Sequence, residues 1–319
     1  MQTCTPLRKR SRLLIVGCGD VGQRVLPLAL PHMRVYALSS SFESCAALRQ
    51  LGVVPLLGNL DAPHTVRRLA GLAPRVLHLA PPNQQSNQQS NQQSNQNDSC
   101  SGRFDRLNSL KDHRTIALSR VLRRGLRPPV QLVYGSTSGV YGDCAGAWVD
   151  ESRALAPQSA RAQRRVSAER SLRGSGLPLS ILRIPGIYAL DRANGTPATR
   201  LQKGTPVLLA AEDVYTNHIH ADDLARACFL ALWRGRPQRV YHVSDDSVSK
   251  MGDYFDLAAD MLGLPRPPRL PRSDLEQVLG PMPMSFLRES RRLRNNRMRQ
   301  ELRLRLRYPT PKEGLATAA

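Results

Sequence analysis

Seven apolar runs of four or five residues recur along the 319-residue chain and limit its fold more than any other feature. They are RLLIV (12–16), RVYAL (34–38), VVPLL (53–57), RVLHL (75–79), VQLVY (130–134), LSILR (179–183) and VYHV (240–243). Runs this short, and near-continuous rather than alternating, suit strands buried on both faces of a sheet. Helix-length stretches such as 61–72, 105–124 and 157–173 lie between most of them, the rhythm of a parallel sheet covered by helices. An α/β fold with a doubly wound parallel sheet is therefore expected. After about residue 185 proline and glycine become frequent and strand candidates rare. That shift divides the chain into a main domain (1–185) and a smaller one (186–319), with a segment near 213–245 returning to the sheet.

No stretch reaches the roughly 18 to 20 apolar residues that span a bilayer, so a soluble protein with no membrane contact is expected. Arg8, Lys9, Arg10 and Arg12 precede LLIVG in the manner of a secretory leader, but that run is too short and glycines follow at once. Six cysteines, at 4, 18, 45, 100, 144 and 228, show no Cys-x-x-Cys pair and no metal-ligand spacing, which fits reduced thiols in a cytoplasm and no metal. A net charge of +21 raises the question of nucleic acid, since clustered cations gain from counterion release. The charge is not clustered: 41 arginines and five lysines spread through nearly every expected element, so no nucleic-acid face is expected. Only RESRRLRNNRMRQELRLRLR (288–307) concentrates it, and that segment reads as a solvated helix with an apolar stripe. Residues 83–97, NQQSNQQSNQQSNQN, repeat a polar unit that cannot offset the entropy of ordering it, so a disordered insertion is expected after the fourth strand. A homodimer is left open.

Immediately after the first run comes GCGDVG, in which Gly17, Gly19 and Gly22 have the spacing Gly-x-Gly-x-x-Gly between a strand and a helix. The first glycine permits the tight turn, the second lets backbone approach a pyrophosphate, and the third allows close helix–strand packing. The helix N-terminus then stabilises phosphate charge through its free N–H groups. A Rossmann-type domain binding NAD or NADP follows. Asp20 and Val21 in the loop, and the strand ends Ser39, Ser40, Asn59, Leu60, Ala80 and Pro81, complete the expected cofactor site. An acidic residue after the second strand would bind the ribose of NAD, but Ser39, Ser40 and Ser41 stand there, which favours NADP and leaves NAD open. Glu43 is close, yet Ser40-x-x-Glu43 matches a helix capping box.

Several segments together resemble the extended and atypical short-chain dehydrogenase/reductase superfamily, the NAD-dependent epimerase/dehydratase proteins. They are LLIVGCGDVG, VLHLAPP, STSGVYGD with WVDE, LRIPGIYALDR, NHIHADDLARA and the C-terminal RNNRMRQELRLRLRYPTPKEGL. The likeness runs along nearly the whole chain. It implies an oxidoreductase or isomerase acting on a nucleotide-sugar-like or other hydroxyl or carbonyl substrate, whose oxygen Thr137 would hold. The same likeness places a Tyr-x-x-x-Lys pair eight and four residues before Glu169, where this chain has Arg161 and Arg165. An arginine cannot act as a base, although Arg165 can still hold a ribose or phosphate. Tyr141 is the substitute acid–base candidate, with Arg165 or Arg183 as the cation that would help to ionise it. Ser138, Arg183, Tyr188 and His218 are the expected substrate contacts. His218 and His220 with Asp222 and Asp223 suggest a metal only superficially, since the resemblance has them fix a loop and start a helix. Asp150 and Glu151 are expected as loop or substrate contacts. A non-catalytic dinucleotide-binding or sensor protein on the same fold is the alternative.

Overall fold

A computed structural model describes residues 10–83, 110–192 and 195–316. All seven apolar runs become strands of one sheet: β1 (Ser11–Val16), β2 (Met33–Ser39), β3 (Val54–Leu57), β4 (Arg75–His78), β5 (Gln131–Thr137), β6 (Leu179–Ile184) and β7 (Arg239–His242). The order across the sheet is β3-β2-β1-β4-β5-β6-β7, with every neighbouring pair parallel. Winding reverses at β1, which has β2 on one side and β4 on the other. A doubly wound sheet opens its ligand crevice there, beyond the carboxyl ends of the strands. Beyond Asn83, the polar repeat lies outside the described residues.

The strands are continuous in apolar character because both faces are covered. Leu13, Ile15, Leu77, Val133 and Leu182 point to one side, against Val25 and Leu26 of α1 (Asp20–Ala29) and Leu224 and Cys228 of α5 (Ala221–Arg234). Leu14, Val16, Val76, Leu132 and Ile181 point to the other, against Leu118 and Leu122 of α3 (His113–Arg124) and Ala168 and Leu172 of α4 (Ala160–Arg173). α2 (Phe42–Gln50) links β2 to β3. Each such leucine, isoleucine or valine side chain contributes about 1.5 to 3 kcal/mol by leaving water. A separate cluster, built around Leu201, Leu208, Val214 and Leu275 with Tyr254 and Phe255 of α6 (Met251–Leu262), forms the core of the smaller part.

Three local expectations are corrected. The stretch 61–72 holds only a 3₁₀ helix, Pro63–Leu69, whose buried Val66 and Leu69 are three residues apart, the repeat of that tighter helix. The cap of α2 is Ser41, whose hydroxyl accepts from the Ser44 N–H, so Ser40 and Glu43 form no capping box and Ser40 stays exposed. The basic segment 288–307 is not a solvated helix. Arg292–Leu293 pairs with Trp148–Val149, and Met298, Leu302 and Leu304 are buried in the core between α5 and the sheet. The second half of the chain thus returns to the main domain a second time, beyond the expected 213–245 segment.

Candidate active site

The glycine loop leaves β1 with Gly17 at φ +91°, a conformation that side chains rarely adopt, and a β-carbon there would lie 2.4 Å from the Ala80 backbone nitrogen. Gly22 packs against the Gly17 carbonyl, 3.0 Å from where its own β-carbon would be. At Gly19 a side chain would meet nothing within 4 Å, so open space stands where a pyrophosphate has to come closest. Helix α1 starts at once, with Gly19 as N-cap and no side chain capping it. Its first N–H groups are therefore available to an anion. The Asp20 carboxylate would repel a phosphate, but it accepts from Arg24 Nε at 3.1 Å and from Arg192 Nε at 2.7 Å. The loop residues fit a dinucleotide phosphate.

One cavity of about 590 Å³ runs from this loop to the smaller part of the molecule. Gly17, Gly19, Asp20, Val21 and Gly22 line it together with Thr137, Ser138, Arg165 and His218. Thr137 ends β5 as the cap of the 3₁₀ turn Ser138–Tyr141, and its Oγ1 accepts from the Gly139 N–H at 3.2 Å. Having accepted there, the hydroxyl keeps its proton to donate to a substrate oxygen. Arg165 is pinned to the cleft floor by donating to the Tyr134 hydroxyl (3.0 Å) and the Gly135 carbonyl (2.8 Å). Arg161, one turn earlier, also lines the cavity, with its guanidinium 4.8 Å from the Phe286 ring centre. His218 stacks on Tyr254 at 4.0 Å, burial pushes it down to about 3, and its Nδ1 has no hydrogen-bond partner among the described residues.

Other expected residues stand elsewhere. Tyr141 and Arg183 are behind the cleft wall, not in its lining. The Tyr141 hydroxyl accepts from Arg183 Nη1 at 2.6 Å and bonds His242 Nε2 at 2.5 Å. Because His242 Nδ1 faces the Arg294 carbonyl at 3.0 Å, it carries the ring proton, which makes Nε2 the acceptor and the phenol the donor. Burial pushes this phenol up to about 12 despite Arg183, and burial pushes His242 down to about 3. A group so enclosed does not reach a substrate in the cleft, which corrects the expectations for Tyr141 as acid–base group and Arg183 as substrate contact. Arg183 instead meets Glu169 through Nε (3.2 Å) and Nη2 (2.8 Å), and Glu169 also accepts from Ser136 at 2.6 Å. Tyr188 donates to the Thr310 carbonyl at 3.2 Å and packs edge-on against His218 and His220 rather than facing the cavity. Asp150 binds Ser152, and Glu151 accepts from the His242 N–H, so neither faces the cavity.

Ser39, Ser40, Asn59, Leu60, Ala80 and Pro81 lie at or just beyond the carboxyl ends of β2, β3 and β4, on the same sheet edge as the glycine loop but outside the cavity. Leu60 is a core residue, and the Asn59 side chain accepts from the Asp61 N–H. His220 caps α5 by accepting from the Asp222 N–H, and buried Asp223 accepts from the Arg307 and Tyr308 N–H groups. No group of three or more His, Cys, Asp or Glu among the described residues is placed to hold a metal. No helix among them is long and apolar enough to cross a membrane.

Sequence reasoning missed Arg192, Arg200, Glu289 and Arg291, all of which line the cavity. Arg200 stacks on Phe255 at 4.5 Å, and burial holds its guanidinium below the ordinary value. Arg291 is nine-tenths buried and donates to Glu289 and to the Gly142 carbonyl. Arg200 comes from a short helix, Ala198–Gln202, Arg192 and Glu289 from irregular stretches and Arg291 from the strongly charged tail, and none of these carries a local signal of enclosure.

No family model and no curated protein matches the sequence. Solved structures do match along nearly the full chain. A conserved protein of unknown function from Silicibacter pomeroyi is 28% identical, covering 96% of this chain and 97% of its own at a TM-score of 0.71. The human epimerase family protein SDR39U1, solved with NADPH, is 16% identical (96% and 98% covered, TM-score 0.73). UDP-glucose 4-epimerase from Thermotoga maritima, solved with UDP-glucose, is 17% identical (96% and 96% covered, TM-score 0.71). The chain has the fold of the NAD-dependent epimerases. That fold is the extended short-chain dehydrogenase/reductase architecture implied by the motifs, with its Rossmann-type sheet and cleft.

Proposed function

We propose that the chain is an NAD(P)-dependent oxidoreductase of the epimerase/dehydratase type, acting on a hydroxyl-bearing carbon of a nucleotide-sugar-like substrate or a related carbonyl compound. The observation that carries this reading is the single cavity joining the Gly17–Gly22 loop to Thr137, Ser138 and the arginines of the smaller part. Gly17, Gly19, Gly22 and the α1 N-terminus would hold the pyrophosphate, Ser39 and Ser40 the adenine-side ribose, and Arg165 a ribose or phosphate oxygen. When bound, the nicotinamide supplies the acceptor or donor of a hydride. Thr137 and Ser138 orient the substrate oxygen, and Thr137 donates a proton to it in a hydrogen bond. Arg200, which lines the cavity, favours an anionic substrate such as a nucleotide diphosphate. With no carboxylate among Ser39, Ser40 and Ser41 to repel a 2′-phosphate, NADP is favoured over NAD.

A second reading, a dinucleotide-binding sensor without turnover, is favoured by one observation: Arg161 and Arg165 stand in the cleft where the family's Tyr-Lys pair would be. Native mass spectrometry of gently purified protein, followed by identification of nucleotide released by acid, tests the common basis of both. Retained NAD or NADP supports it. Protein that is empty and takes up neither added dinucleotide would refute it.

A further inference from the structure

We infer that Glu289 is the proton-transfer group of the cleft, supplied by the C-terminal segment in place of the tyrosine that Arg161 replaces. The inference rests on the oxidoreductase reading above. Proton transfer needs a group at the reacting oxygen that can both take and release a proton. Among the described residues, two carboxylates line the cavity, Asp20 and Glu289. Asp20 is occupied by Arg24 and Arg192 at the phosphate loop. Burial raises the phenol of Tyr254 and lowers His218 to about 3, which leaves neither suited to the task. The other phenol of the lining, Tyr215, has its ring against the Arg292 guanidinium at 4.5 Å and against Gly146, whereas Glu289 stands beside Thr137. Arginines do not deprotonate.

Glu289 also stands in the right place. A β-carbon built on Gly139 would lie 3.6 Å from Thr137 Oγ1 and 3.8 Å from Glu289 Oε2, so the hydroxyl and the carboxylate flank the same point of the cleft floor. Gly139 places no side chain of its own between the two groups. Arg291 Nη1 fixes the carboxylate by donating to Oε2 at 2.8 Å while also holding the Gly142 carbonyl of the active-site turn at 2.7 Å. In the oxidation of an alcohol, Glu289 would take the hydroxyl proton while a bound oxidised dinucleotide would supply the acceptor for the hydride of the same carbon, so that a C=O results. The reverse step returns the proton to the oxygen.

Carbodiimide with glycine ethyl ester, applied to dinucleotide-free protein and read by peptide mass, should label Glu289 well ahead of the enclosed Glu169 and Asp223. Labelling no faster than theirs overturns the assignment. Oxidation of UDP-glucose, UDP-glucuronic acid and 1-phenylethanol with NAD or NADP is then compared for wild type, Glu289→Gln and Glu289→Asp. Glu289→Gln should lower kcat by roughly a hundred- to ten-thousandfold and leave dinucleotide affinity unchanged, with partial recovery in Glu289→Asp. A Glu289→Gln enzyme with the wild-type kcat overturns it. So does a wild-type protein that binds dinucleotide yet oxidises none of the three. Failure to bind either dinucleotide defeats the underlying reading, and the binding measurement tells the two failures apart.

Discussion

Replacing Glu169 by glutamine keeps the shape of the side chain and removes its charge from the most enclosed ion pair behind the cleft. Arg183 and Glu169 have side chains only 4% and 2% exposed. Glu169 accepts from Arg183 twice and from Ser136 once, while Arg183 Nη1 goes on to the Tyr141 hydroxyl. The glutamine would turn an amide donor toward guanidinium donors and leave Arg183 without a counter-charge. Breaking a buried pair by removing one partner costs about 3 to 5 kcal/mol. For a chain of this length that corresponds to a Tm lower by roughly 5 to 7 °C. Differential scanning calorimetry of Glu169→Gln, Arg183→Met and the double variant gives both the losses and their coupling. We expect a coupling above about 2 kcal/mol, because each single change strands the other group. Independent effects, adding to within about 0.5 kcal/mol, would refute the argument that the pair is one unit tying α4 and β6 to the active-site strand.

Further outcomes follow from the same geometry. Gly17→Ala should abolish dinucleotide binding, measured by nicotinamide fluorescence, because its β-carbon would collide with the Ala80 backbone. Ser40→Glu should lower the ratio of NADPH to NADH affinity by roughly tenfold or more, since it sets a carboxylate beside the 2′-phosphate; an unchanged ratio places that ribose elsewhere. Thr137→Ala should reduce turnover with little effect on dinucleotide affinity, and equal loss of both would assign it a structural role. Burial raises Asp245 to about 7, above its unfolded value near 4. Its contribution is therefore fully present below pH 4 and is lost as pH rises toward and through 7. Asp245→Asn should accordingly gain stability relative to wild type between pH 5 and 8 in urea titrations, and a pH-independent difference would contradict the burial argument. His78, His218 and His242, all pushed down to about 3 mainly by burial, act in the opposite sense: their contribution is present above pH 6.5 and is lost as pH falls toward 3.

What was legible in the sequence is what local chemistry decides. LLIV before GCGDVG could only be a doubly buried strand feeding a glycine turn, and Thr137 is exposed to the cleft because β5 ends there. Tyr141 shows where that reasoning stops. It is four residues from Thr137, but its phenol points to Arg183 of β6 and His242 of β7, partners that no spacing reveals. The tail is the larger case. Leu293, Met298, Leu302 and Leu304 follow no single period, because the segment is a short strand, then a π-helical turn, then an extended run, each meeting a different neighbour. Its charge is mostly consumed within the molecule. Arg291, Arg292 and Arg297 donate to the carbonyls of Gly142, Gly146 and Val240, Arg299 pairs with Asp246, and Glu301 holds Arg239. A guanidinium carries five donors in a fixed plane, so it can bind backbone carbonyls at the edge of a core as well as face water. That is how a segment with the composition of a solvated helix can be threaded back across the sheet and bring Glu289 into the cleft. Lysines in the same places, with compact and strongly hydrated charges, would favour the solvated form that the composition suggests.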